Sequence, residues 1–335
     1  MNLLILGGTR FVGRALVAAA QAKGYTITLF NRGQSNPDLY PEVEHLRGDR
    51  DGGLAALKGR RWDAVIDTCG YVPRLVRDSA KLLAEAVDYY TFISSISVYA
   101  DFSIVGLNEN SPLATMADET VETVDGETYG PLKALCEQAI TTEMNGRSLH
   151  IRAGLIVGPH DQTDRFSYWP ARIARGGGVL APGSPEGLVQ FIDVRDLAEW
   201  ALVATAQKLT GPFNVTGPAL PLTMQTLLET CQTSSDSKGT LTWVDEAFIL
   251  ANDIAPWTEL PLWMAGEEFA GFSTVDCRKA QANGLVYRPL PVTVDDTLAW
   301  LRTRPLDYEW INGLAAEKET AVLQAWHKST AQGRK

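Results

Sequence analysis

The chain has 335 residues, 45% of them hydrophobic, and a formal net charge of -10 with a pI near 5.0. That is enough apolar chain for one large domain or two closely joined ones, and the acidic balance disfavours nucleic acid and anionic membrane surfaces as partners. No apolar run of about 18 residues is present to cross a membrane, and Met1-Asn2 lacks the positive stretch of a secretory signal. Cys69, Cys136, Cys231 and Cys277 are scattered, as are the four histidines, so the expectation is a cytoplasmic protein with reduced thiols and no bound metal.

Residues 3–6 read as a buried strand and 11–23 as a helix ended by Gly24. Strands follow at 26–30, 43–46, 64–67 and 90–94, with a helix over 75–87 between the last two. A helix over 129–144 leads into a strand at 149–152. Strand–helix alternation with continuously apolar strands implies α/β architecture, a doubly wound parallel (Rossmann) sheet covered on both faces, built from residues 1–160. Beyond about residue 155 the pattern is less regular: glycines and prolines crowd 176–187, and five tryptophans fall between Trp169 and Trp263. A strand at 190–193 and a helix at 196–207 read as returns to the main sheet, near 188–217. The stretches 161–187 and 218–335 are assigned to a smaller, interwoven lobe, finished by helices at 292–302 and 314–328.

The opening LILGGTRFVG lies between the first strand and the first helix. Gly7 permits a tight turn and Gly13 close helix–strand packing, while the free N–H groups and positive end of the helix suit a pyrophosphate. Arg10 stands where the dinucleotide fingerprint has its middle glycine. The second strand ends in Phe30-Asn31-Arg32-Gly33, without the carboxylate that an NAD site directs at the ribose 2′-hydroxyl. Arg32 either pairs with a 2′-phosphate or is a solvated loop arginine. Asp49, after the third strand, either accepts from an adenine amino group or serves a polar turn.

Tyr129 and Lys133 sit four residues apart at a helix start, so they share one face. Upstream, Phe92-Ile93-Ser94-Ser95-Ile96-Ser97-Val98-Tyr99 brings hydroxyls to the carboxyl end of a strand, the edge where open α/β sheets bind ligands. With LGGTRFVG, GDRD, FISSISVY, YGPLK, IRAGLIVGP and VQFIDVRDLA in this order, residues 3 to 217 resemble the extended short-chain dehydrogenases/reductases, which include NAD(P)-dependent epimerases, dehydratases and carbonyl reductases. The resemblance implies Ser95, three residues before Val98, as a catalytic residue together with Tyr129 and Lys133; Ser94 and Ser97 are left without a role. It implies cofactor contacts from Gly7, Thr9, Arg10, Phe11, Val12, Gly13, Asn31, Arg32, Asp49, Cys69, Gly70, Tyr129, Lys133 and Gly154. A phenol moved from about 10 towards 7 needs ~4 kcal/mol of differential stabilisation, at ~1.36 kcal/mol per unit, for which Lys133 and the oxidised nicotinamide are sources.

Single-domain relatives often carry TGASRGIG, with arginine in the column of Arg10 beside the 2′-phosphate. Arg10 and Arg32 would then approach that phosphate from two sides, which favours NADP(H), with NAD(H) as the alternative, and tilts the reaction towards net reduction. Nucleotide-sugar members usually show asparagine in RPxNxYGP and arginine in RDFIHVDD, where this chain has Leu155 and Val189. Arg165, Arg172 or Arg175 are the candidates to compensate. In the polar and aromatic run 160–169, His160 either assists proton transfer or makes a structural hydrogen bond. Trp257 and Trp263 are either an aromatic wall over substrate or lobe packing. The expected function is NADP(H)-dependent reduction of a carbonyl on a small metabolite. The alternatives are an NAD⁺-retaining nucleotide-sugar epimerase or dehydratase, and a non-catalytic cofactor-binding or RNA-associated scaffold, since some plastid RNA-associated relatives share a GGTRF-type turn. Dimers through a helix pair are usual in the resembled family.

Overall fold

The computed structural model describes residues 1–305 and 307–332. The first half runs β1 (Asn2–Leu6), α1 (Phe11–Ala22), β2 (Thr26–Asn31), β3 (Glu44–Arg47), β4 (Trp62–Asp67), α2 (Pro73–Leu83), β5 (Val87–Ser95), α3 (Tyr129–Glu143) and β6 (Ser148–Ala153). There follow β7 (Leu155–Val157), α4 (Tyr168–Ala174), β8 (Gly178–Pro182), β9 (Leu188–Val189), β10 (Phe191–Asp193), α5 (Val194–Ala206) and β11 (Gly211–Val215). The chain finishes with β12 (Leu222–Thr223), α6 (Met224–Ser234), β13 (Thr240–Val244), α7 (Glu246–Ala251), α8 (Arg278–Ala282), α9 (Leu290–Leu301) and α10 (Ala316–Gln332).

Seven strands form one parallel sheet in the order β11-β6-β5-β4-β1-β2-β3. Successive side chains of a strand point to opposite faces, and both faces are apolar here. Leu3 and Ile5 of β1 join Leu16, Val17, Leu197 and Ala201 of α1 and α5 on one side. Leu4 and Leu6 join Val76, Leu83, Cys136 and Ile140 of α2 and α3 on the other. The strand order reverses at β1/β4, so a crevice opens beyond the carboxyl ends of these two strands, where such sheets hold ligands. A separate core gathers Leu155, Phe166, Trp169, Leu180, Phe191, Leu227, Val244, Leu298 and Leu323, drawn from both sides of β11 in sequence. Its strands pair as small ladders: β7 with β10, β8 with β13, β9 with β12.

Two expectations are corrected. The strand near 190–193 does not return to the main sheet: β10 pairs with β7, and the seventh strand of the sheet is β11, hydrogen-bonded to β6. The helix expected over 75–87 stops at Leu83, because Val87 already pairs with Trp62 as the start of β5. The short strands and helices of 155–182 and 222–251 carry no amphipathic run long enough to announce themselves in the sequence.

Candidate active site

The glycine turn joins β1 to α1. Gly7 has φ +111, and a side chain there would place its Cβ 2.3 Å from Thr68 Oγ1. A Cβ on Gly13 would lie 2.6 Å from Gly8 backbone, so α1 packs directly onto the turn. The N-cap residue Arg10 gives no side-chain cap, and the first-turn N–H groups of α1 therefore stay free for an anion. Those donors, the glycine approach and the crevice at the strand switch fit a dinucleotide pyrophosphate. The segment 31–40 folds back on this turn: Asn31 Nδ2 donates to Gly7 O at 2.9 Å, Asn36 Nδ2 to Thr9 O at 2.8 Å and Tyr40 OH to Arg14 O at 3.2 Å. Thr9 is buried, while Phe11 turns into the cavity described below and Val12 packs on the core beneath.

Arg10 does not meet Arg32. Its Nε and Nη2 both donate to Gln162 Oε1, across the crevice mouth and onto the loop after Gly158. The extended backbone of the N-cap residue (φ -126, ψ 154) sends the side chain that way. The arginine that joins Arg32 at the ends of β2 and β3 is Arg47, which sequence reasoning passed over. Arg47 donates to Asn31 Oδ1 and, at 3.0 Å, to Pro37 O, and its guanidinium lies against Gly33. Among the described residues no carboxylate ion-pairs with Arg32 or Arg47. Asp49 is exposed and accepts from the N–H of Asp51 at 2.9 Å, as a turn residue would.

Its neighbour Arg50, unremarked in the sequence, is the anchor of this wall. Arg50 Nη1 and Nη2 grip Asp67 Oδ1 and Oδ2 at 2.9 and 2.6 Å, Nη2 also donates to Ser79 Oγ at 2.6 Å, and Tyr90 OH donates to Asp67 Oδ2 at 2.7 Å. Cys69 N donates to Asp67 Oδ1 at 3.0 Å, so the buried pair fixes the Thr68-Cys69-Gly70 corner that closes the crevice. Cys69 itself is an exposed thiol on that corner.

The three expected catalytic residues converge beyond β5. Ser95 ends the strand; its Oγ accepts from Ser97 N at 3.1 Å and donates to Ser97 Oγ at 3.0 Å. Tyr129 opens α3, where Gly130 lets the helix sit on Ser97, since a Cβ there would lie 2.2 Å from Ser97 O. One turn on, Lys133 is 3% exposed, with Nζ donating to Gly70 O at 2.9 Å and Ile93 O at 2.7 Å and lying 4.0 Å from the Phe92 ring centre. Burial pushes the Lys133 ammonium down to about 8. Burial likewise raises the Tyr129 phenol; the Ser95 hydroxyl and the Arg165 charge act in the opposite direction. Arg165, rather than Lys133, is thus the cation whose charge acts on the Tyr129 phenol. Ser94 has a structural role: its Oγ donates to Glu137 Oε1 at 2.6 Å, and Glu137 is in turn paired with Arg152 at 2.8 Å, both buried.

Ser95, Ser97, Tyr129, Gly154, Phe11 and Leu155 share a cavity of about 360 Å³ with Arg165, Trp257 and Phe272. Gly154 is required by Thr216, whose Oγ1 would lie 2.2 Å from a Cβ. Of the three arginines considered as compensators, Arg165 lines this cavity, whereas Arg172 is bound to Glu319 at 2.6 Å and Arg175 caps α4. Trp257 is a wall of the cavity and meets Phe272 edge-on at 5.1 Å; Trp263 is buried in the second core and borders a different cavity. His160 packs edge-on against Trp300 at 5.6 Å and is not among the residues lining the cavity. Among the described residues no cluster of His, Cys, Asp or Glu could hold a metal, and no helix is long and apolar enough to cross a membrane.

The sequence pattern of the NAD dependent epimerase/dehydratase family matches residues 3–216. Chloroplast stem-loop binding protein of 41 kDa b from Arabidopsis thaliana is 27% identical over 214 residues, covering 59% of this chain; the chain spans about half (53%) of that relative's length. Among solved structures, UDP-N-acetylglucosamine 4-epimerase from Bacillus cereus superposes with a TM-score of 0.66 at 16% identity, over 91% of this chain and 100% of its own. UDP-glucuronic acid 4-epimerase from Bacillus cereus, in complex with NAD, superposes with a TM-score of 0.66 at 13% identity, over 90% and 99% of the two chains. At these identities the superpositions speak for the fold.

Proposed function

The chain belongs to the NAD dependent epimerase/dehydratase family, within the extended short-chain dehydrogenases/reductases, and from that premise we propose that it is an NADP(H)-dependent reductase of a small carbonyl compound. The observation that carries the cofactor half is the end of β2 and β3, where Asn31, Arg32 and Arg47 stand and no carboxylate awaits a 2′-hydroxyl. Two guanidiniums on one wall suit a 2′-phosphate. Free NADPH, drawn from a reduced pool, serves net reduction, whereas an enzyme that returns its hydride to the same substrate gains nothing from the extra phosphate.

In this reading the nicotinamide supplies the hydride. Tyr129 gives its phenol proton to the substrate oxygen as negative charge gathers there, and Ser95 turns its hydrogen bond from Ser97 to the same oxygen. Lys133, with two of its three protons donated to Gly70 O and Ile93 O, keeps one for the cofactor ribose. Burial brings its ammonium down to about 8, within reach of proton exchange near neutral pH.

The epimerase reading keeps a foothold in the fold shared with nucleotide-sugar epimerases. The two are separated by following NADPH absorbance with a panel of aldehydes and ketones, with the Tyr129→Phe variant as control. Carbonyl-dependent oxidation lost in the variant supports the reductase. Purified protein that releases NAD⁺ on denaturation and oxidises no NADPH supports the epimerase. The RNA-associated reading, raised by the GGTRF-type turn, is echoed by the plastid stem-loop binding relative, and the net charge of -10 opposes it.

A further inference from the structure

The segment 269–274 separates two cavities. On one side Phe272 faces the cavity of Tyr129; on the other, Phe269, Ala270, Ser273 and Thr274 line a cavity of about 600 Å³. Their charges differ. The larger cavity is walled by Leu188, Val189, Met224, Leu262 and Trp263, and among the described residues its only charged lining groups are Asp245 and Glu246. Among the described residues no lysine, arginine or histidine lines it, so a diphosphate placed there would meet two carboxylates and no cation from them.

The inner cavity has the opposite character. Arg152, Arg172, Arg195 and Arg304 are each held by a carboxylate within 4.0 Å, but among the described residues Arg165 is not. Among the described residues its one hydrogen bond runs from Nε to Thr163 Oγ1 at 3.3 Å, and its guanidinium lies 5.3 Å from the Trp257 ring centre. The carboxylate whose charge acts on Arg165 is Asp161, which is buried and already accepts from Thr163 N at 2.8 Å and Thr163 Oγ1 at 3.0 Å. The Nη donors of Arg165 therefore find no acceptor among the described residues, although the side chain borders the cavity of Ser95 and Tyr129. A half-buried guanidinium in that state is a site for a planar anion, which would take both Nη protons in a fork.

We propose that Arg165 binds a carboxylate of the substrate, next to the reacting carbon, while Trp257 and Phe272 hold a planar apolar body, and that the larger cavity takes no nucleoside diphosphate. The substrate class is then an aryl or other planar oxo acid and its hydroxy acid. This deepens the reductase reading and rests on it for the identity of the reacting group.

The test is titration calorimetry of the purified protein, with and without NADP⁺, using phenylglyoxylate, methyl phenylglyoxylate and UDP-glucose. Phenylglyoxylate is expected to bind at least about ten-fold more tightly than its ester, the size of one charge-assisted fork, and more tightly than UDP-glucose. Arg165→Gln should erase the preference for acid over ester, and Arg165→Lys should keep part of it. An ester that binds as well as the acid, no binding of the acid, a preference that survives Arg165→Gln, or tighter binding of UDP-glucose would each overturn the proposal. The acid/ester ratio is read on the unsubstituted protein, so the test stands even where a variant fails to fold. The two readings fail separately: preferential acid binding with no NADPH oxidation removes the reductase and keeps the anion site. NADPH oxidation with equal KM for acid and ester does the reverse.

Discussion

Tyr129 opens α3 with its hydroxyl towards Ser95 and Arg165, and the reaction assigned to the site depends on that one proton. Tyr129→Phe should lower carbonyl-dependent NADPH oxidation by about 10²–10⁴-fold, the usual worth of a positioned acid, while calorimetric binding of the cofactor is unchanged. A second prediction concerns stability. His150 lies on β6, fully enclosed, with Nε2 at 2.8 Å from Thr141 Oγ1, and burial pushes it down to about 4. Between about pH 6.5 and 4 the unfolded chain binds a proton there that the fold refuses, so stability falls as pH drops through that window. Urea unfolding of His150→Gln at pH 7 and pH 4.5 should show a smaller loss between the two than the parent protein shows. At this scale the sequence announced Ser95, Tyr129, Lys133 and the glycines, because each belongs to a short contiguous motif. Arg47, Arg50 and Arg165 were illegible, since what distinguishes them is a partner, or the want of one, far along the chain: Arg50 with Asp67, Arg47 with Asn31, Arg165 with Tyr129.

The elements around the crevice are held by two devices that substitutions separate. Gly13 lets α1 reach Gly8, where an added Cβ would lie 2.6 Å from backbone that has nowhere to move. If the site binds NADPH as proposed, Gly13→Ala should therefore weaken that binding by at least about ten-fold, about 1.4 kcal/mol, in a fluorescence titration, because the displaced N–H groups are the free first-turn donors of α1. Asp67→Asn leaves Arg50 buried without its counter-charge, and urea unfolding should register a loss of about 3–5 kcal/mol. The strands of the main sheet up to β6 were readable from their apolar runs, since a parallel sheet covered on both faces needs continuous hydrophobicity. β7 and β10 were not assignable to the right partner: three-residue strands such as Leu155–Val157 carry no register information, and Gly154 breaks β6 from β7 in space but not in composition.

At the scale of the whole molecule, the strand order opens a crevice beyond β1 and β4, and Arg165, Trp257 and Phe272 wall the cavity shared with the hydroxyls of Ser95, Ser97 and Tyr129. The fold class was legible from the alternation of strand and helix patterns over the first half. The shape of the second core was not, because its residues come from 155–191 and 222–323 and meet only in three dimensions. Arg10 illustrates the same limit. Its column in the glycine motif pointed to a 2′-phosphate, yet its side chain bridges to Gln162, and the case for NADP(H) passes to Arg32 and Arg47. That case is tested most directly by calorimetric titration of the purified protein with NADPH and with NADH at one ionic strength. The account predicts that NADPH binds at least about ten-fold more tightly and that Arg32→Ala combined with Arg47→Ala abolishes the difference. Equal or tighter binding of NADH would contradict it.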